Sequence, residues 1–79
     1  MTPSPDTNQP ILRRLGLRIR DARRSRHMTQ VELAQTLGIS VAYVSLIERG
    51  RRNPPFTTVA LAAQALDAPL GKLMDQSDR

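Results

Sequence analysis

The chain has 79 residues, 39% of them apolar, with no cysteine, a single histidine and a formal net charge of +5. A chain this short buries only about 60% of the surface its unfolded form exposes, so its core must come from a few tightly packed elements. The lack of cysteine excludes a disulfide framework or a thiolate metal site, and His27 alone cannot build a zinc site, so no metal or cofactor is implied. The longest purely apolar run, Val59 to Ala63, is too short to span a bilayer, and the N-terminus lacks the basic-then-apolar order of a signal peptide. A cytoplasmic protein without membrane contact is the expectation.

The charge is unevenly placed. Ten of the twelve cations fall between Arg13 and Arg52, where only Asp21, Glu32 and Glu48 oppose them, leaving +7 on that segment. From Pro54 onward Lys72 and Arg79 face Asp67, Asp75 and Asp78, a net of −1. Arginine-rich asymmetry of this kind favours a polyanionic partner, because phosphates are bound by charge and by forked hydrogen bonding. The plainer alternative is a solvated basic face.

Residues 1–10, MTPSPDTNQP, hold three prolines and no apolar pattern, and read as a flexible arm. From Pro10 the positions Leu12, Leu15, Ile19 and Ala22 form one helical stripe ending near Arg26. Gly16 weakens its first turns by about 1 kcal/mol relative to alanine, so either the helix begins late or something packs close there. Thr29 and Glu32 have the spacing of a capping box, with Met28 placed to staple against Leu33, which predicts a second helix over about residues 30–37. Gly38 sits where a left-handed residue would end it. Ser40 can cap a third helix over about residues 41–49, with Ile39 stapling to Val44. Helix, glycine turn, helix is the outline of a helix-turn-helix.

Beyond Gly50 the run RRNPP cannot continue a helix. Phe56 or Thr57 opens a fourth, with Val59, Ala60, Ala63 and Leu66 on one face, and Pro69 suits the start of a short fifth carrying Leu70, Leu73 and Met74. No segment alternates like a strand, so the expected fold is an all-α bundle of about five short helices occupying residues 11–75, with a tail over 76–79. The fourth and fifth helices are mostly core, but part of Leu66, Leu70, Leu73 and Met74 is left for self-association.

On the third helix Val44, Ile47 and Glu48 share a sector that faces the core. Ala42, Ser45, Leu46 and Arg49 project to the other side, with Val41 and Tyr43 on the flanks. A merely structural helix would carry longer charged residues there. Small residues let a backbone approach a partner, and Arg49, Arg51 and Arg52 lie beside them, so the face reads as a recognition surface.

The stretch LGLRIRDARRSRHMTQVELAQTLGISVAYVSLIERGRRNPPFTTVALAAQAL resembles the DNA-binding domain shared by lambda-type phage repressors, Cro and the small regulators of the xenobiotic-response-element-like helix-turn-helix family. The likeness covers roughly residues 11–74 and is most specific at Thr29-Gln30, Glu32-Leu33-Ala34, Gly38-Ile39-Ser40 and Ile47-Glu48-Arg49-Gly50. The run from Tyr43 to Pro54 is most similar to restriction-modification controller proteins. The resemblance implies that Gln30 bonds a phosphate or braces the third helix. It implies that Ser40, Val41, Ala42, Ser45 and Leu46 meet base edges, that Tyr43 lies against backbone or base, and that Arg49, Arg51 and Arg52 clamp phosphates. Arg23 and Glu48 occupy positions that in the family pair across the first and third helices, the alternative being two independent surface charges. Val41 departs from the family, which often has arginine or glutamine there; valine cannot make a bidentate contact to guanine or adenine, so readout would rest on thymine methyls and hydroxyls. Arg13, Arg14, Arg18 and Arg20 suit either flanking phosphates or a solvated face, and of the first-helix arginines Arg20 or Arg24 is the one expected to reach DNA.

The implied partner is double-stranded operator DNA, an inverted repeat bound by a homodimer, with a contact to RNA polymerase and no small-molecule ligand. A sequence-specific transcription regulator is the leading reading, with autoregulation in the manner of a controller protein as one form of it; an antitoxin, a phage-type repressor or a basic protein-interaction adaptor are the alternatives. No nucleophile, base or carboxylate pair stands in a recognisable catalytic arrangement, so the chain does not read as an enzyme.

Overall fold

The structure, a computed structural model, describes residues 5–77. Five helices follow one another: α1 (Pro5–Ser25), α2 (Gln30–Leu37), α3 (Val41–Glu48), α4 (Phe56–Ala65) and α5 (Leu70–Leu73). The all-α bundle expected from the apolar spacing is the fold that forms. Residues 1–4 of the expected arm and 78–79 of the tail lie outside the described residues.

Leu15 and Ile19 of α1 enter the core, with Ala22 packed against it. The helix begins at Pro5 rather than Pro10, so residues 5–10 belong to its first turns and not to an arm. Proline suits a first helical position because the N–H it lacks would have had no intrahelical acceptor, and Pro10 inside the helix forgoes one bond. Gly16 is explained by close packing. A Cβ there would lie 2.5 Å from the carbonyl oxygen of Glu48 and 2.8 Å from its carbon, and would also strike the carbonyl oxygen of Ile47. The backbones of α1 and of the C-terminal end of α3 are therefore in direct contact. Gly16→Ala is expected to lower stability by at least about 1 kcal/mol despite alanine's better helix propensity, because backbone cannot yield to the added methyl as a flexible side chain would. A urea midpoint unchanged or raised would show that the two helices separate freely.

At the start of α2 the Thr29 hydroxyl accepts from the Glu32 N–H at 3.0 Å, and the Glu32 carboxylate accepts from the Thr29 N–H at 2.9 Å. The bond from the Thr29 backbone, and then that from its side chain, hold the Glu32 carboxyl below its ordinary value of 4.5. A depressed carboxylate stabilises the cap above that ordinary value and loses the effect as pH falls through the lowered one. α2 ends at Gly38, whose φ of 68° lets the Ile39 N–H reach back to the Ala34 carbonyl. That turn sets α2 and α3 at 110° to each other.

The core is close-packed. The space left between Ile19, Leu33, Val44, Ile47, Val59 and Ala62 is about 10 Å³, no more than one water could use. On α4 the buried residues are Val59, Ala62 and Ala63, followed by Leu66 at the helix end. Ala60, expected among them, is half-buried, since it lies about 100° round the helix from Val59. The self-association face also needs correction: Leu66 is 2% exposed and Leu73 0%. A bundle this small uses both to close the end of its core between α1, α4 and α5. Leu70 is half-buried and Met74 is 47% exposed, so only these two of the four remain at the surface. After α5 the chain returns along α1, where Arg18 donates to the carbonyls of Asp75 and Ser77 and the Gln76 amide donates to the Ile11 carbonyl at 3.2 Å.

Candidate nucleic-acid interface

α3 is fixed from behind. Val44, Ile47 and Glu48 are buried, and the Glu48 carboxylate is the node at which three helices meet. Arg23 of α1 donates to it through Nε at 2.6 Å and Nη2 at 3.0 Å, while its Nη1 donates to the Met28 carbonyl at 2.8 Å. Gln30 of α2 donates its amide to the same carboxylate at 3.0 Å. A carboxylate in the last turn of a helix faces the negative end of the helix dipole, so the fork from Arg23 offsets an unfavourable placement as well as burial. Of the two roles implied for Gln30, bracing α3 has its partner in place.

In front, α3 presents a narrow strip. The Ser40 hydroxyl caps the helix by accepting from the Tyr43 N–H at 3.0 Å. Val41 is 43% exposed, and Ser40, Ala42 and Arg49 are also exposed. Ser45 and Leu46 are half-buried, as is Tyr43, which leans on the core. The strip narrows at Leu46 because the chain doubles back there: Gly50 takes φ 72° and the Arg51 N–H donates to the Leu46 carbonyl at 2.8 Å.

Arg49, Arg51 and Arg52 are all exposed around this turn. Arg49 Nε reaches the Ser45 carbonyl at 3.4 Å and Arg52 Nη1 the Arg51 carbonyl at 3.0 Å. The arginines in and just after α1 separate into distinct settings, and of the two expected to reach DNA, Arg24 is exposed and Arg20 half-buried. Arg18 is committed to the C-terminal segment, and Arg26, in the turn just after α1, lies 3.7 Å from Asp67 in solvent. Arg20 has its Nε enclosed without a hydrogen-bond partner among the described residues. Arg13 runs against Gly50, where an added Cβ would lie 2.7 Å from its Cγ and 2.8 Å from its Cα. That neighbour was not visible in the sequence, because 37 positions separate the two residues and only the contact between α1 and α3 joins them. His27 sits exposed in the α1–α2 turn with φ 54°.

The arrangement offers a rigidly backed helix with a small-residue front, flanked by exposed guanidinium groups that have no ion-pair partner among the described residues. Among relatives, the chain is 38% identical over 61 residues to the ImmF control region 10 kDa protein of Bacillus phage phi105, covering 77% of this chain and 68% of that one. It is 36% identical over 62 residues to the immunity repressor protein of the same phage, covering 78% of this chain but only 43% of the repressor. Among solved structures, the restriction-modification controller protein C.AhdI of Aeromonas hydrophila superposes with a TM-score of 0.78 at 32% identity, covering 84% of this chain and 96% of that one. The clp gene regulator ClgR of Corynebacterium glutamicum gives 0.80 at 29%, covering 84% and 70%. The family model described as Helix-turn-helix, HTH_3, matches residues 19–73, from the middle of α1 to α5 and so across the whole braced α2–turn–α3 unit, and the chain belongs to that family.

Proposed function

We propose that the chain is a sequence-specific regulator that reads operator DNA through α3, binding an inverted repeat as a homodimer. The coarser statement follows from family and relatives: it is a helix-turn-helix transcription regulator of the repressor or controller type and not an enzyme. The finer reading is carried by one observation. α3 is anchored by Val44, Ile47 and the Arg23–Glu48–Gln30 bonds, while Val41, Ala42 and Arg49 stay in solvent beside Arg51 and Arg52. A two-fold dimer would set two such helices in successive major grooves about 34 Å apart. At the base edges Val41 offers a methyl surface to thymine, and Ser40 and Ser45 offer hydroxyls.

Competition tests this reading. DNA from upstream of the chain's own gene should displace it from mixed-sequence DNA and show a two-fold footprint; equal affinity for both would favour a basic adaptor instead. The phage phi105 relatives favour a second reading, a phage-type repressor built on the same module. The position of the footprint, beside lysogeny genes or beside restriction-modification genes, separates the two. No single helix among the described residues is long and apolar enough to cross a membrane.

The exposed arginines add a measurable consequence. Binding should weaken linearly in log affinity against log salt, at about −0.9 per phosphate neutralised. Arg51→Ala should flatten that slope by roughly one unit per subunit bound. An unchanged slope would show that Arg51 does not pair with a phosphate.

A further inference from the structure

We infer that Arg13, on the N-terminal half of α1, is a phosphate ligand that acts together with Arg49, Arg51 and Arg52, so that the DNA contact extends past the helix-turn-helix onto the first helix. The inference rests on the reading of α3 as the DNA-facing helix. Arg13 lies three residues before Gly16, on the side of α1 whose backbone touches the carbonyls of Ile47 and Glu48. Its stem crosses Gly50, the residue that follows Arg49 and precedes Arg51. Gly50 is required twice there, by its φ of 72° and by the lack of room for a Cβ against Arg13. The effect is to bring a fourth exposed arginine to the turn at the end of the reading helix.

No hydrogen-bond or ion-pair partner for Arg13 occurs among the described residues. The carboxylate nearest in sequence to this turn, Glu48, is buried and already engaged by Arg23 and Gln30. Four exposed arginines set around one turn, with no ion-pair partner for them among the described residues, raise the positive potential there, and a phosphate backbone is the partner that such a field favours. Arg18 is a built-in contrast. It is on the same helix, yet its Nε and Nη2 are bonded to the carbonyls of Asp75 and Ser77.

The test uses the full chain and a mixed-sequence DNA duplex, titrated by fluorescence anisotropy between about 50 and 200 mM salt. Arg13→Gln keeps most of the stem that packs on Gly50 and removes the charge. It should make the log–log salt slope shallower by about one unit per chain, as Arg51→Ala does, while Arg13→Lys keeps the slope and Arg18→Gln leaves it unchanged. Circular dichroism on the same samples should show native helix content. A wild-type slope for Arg13→Gln beside a flattened one for Arg51→Ala would overturn the role of Arg13 and leave the reading of α3 standing. Wild-type slopes for both would overturn the two together. A slope flattened equally in Arg13→Lys would also count against the inference, since the charge would then not be what matters.

Discussion

Replacing Ala42 with glutamate is expected to abolish operator binding without lowering stability. Ala42 is exposed in the first turn of α3, two positions after the Ser40 cap, so a longer side chain meets solvent and not core. Glutamate at that position is also compatible with the fold, since a carboxylate near a helix N-terminus is favoured by the dipole. The same side chain in the groove is doubly unfavourable, because it occupies space needed for close approach and brings negative charge to the phosphates. The milder Val41→Ala should cost about 1 kcal/mol at one base pair per half-site if Val41 touches a thymine methyl. Circular dichroism and a binding titration on one Ala42→Glu sample decide the matter. A folded variant that binds the operator at full strength would mean that α3 is not the reading helix.

The features legible in the sequence are those whose chemistry is local. The Thr29–Glu32 box, the left-handed Gly38 and the Ser40 cap each depend on residues three or four apart, and each is present with its expected bonds. The inward trio Val44, Ile47 and Glu48 follows from helical period alone. What sequence could not supply is what covers what. Leu66 and Leu73 form a plausible apolar edge when helices are read singly, and become core only because α5 closes on α1 and α4. Gly16 admitted two readings until α3 supplied the carbonyls against it. Among the first-helix arginines the sequence favours Arg20 or Arg24, whereas packing alone decides that Arg18 meets the C-terminal segment and Arg13 meets Gly50. The helical stretch before Pro10 went unread for a different reason: three prolines in ten residues oppose a helix on propensity, while the one at position 5 stands where a helix tolerates it.

Arg23→Ala is expected to cost about 3 kcal/mol of stability, several times the value of a surface ion pair. The Arg23 and Glu48 side chains are 9% and 2% exposed, so truncating the arginine leaves a buried carboxylate with Gln30 the one remaining donor among the described residues. It also removes the donor on the Met28 carbonyl, which fixes the turn leading into α2. Much of the loss is the penalty of the abandoned charge and not the worth of the bond itself. Replacing both partners at once, as Arg23→Met with Glu48→Leu, should therefore recover a large part of it. The double variant should be stable yet bind DNA less tightly than the native chain, because the bonds from α1 and α2 that orient the end of α3 are gone while the apolar packing remains. Urea unfolding of the two single variants and the double variant gives the comparison. A loss below about 0.5 kcal/mol for Arg23→Ala would place the pair, in energy, with surface bridges. Full operator affinity in the double variant would show that Val44 and Ile47 position the reading helix without the ion pair.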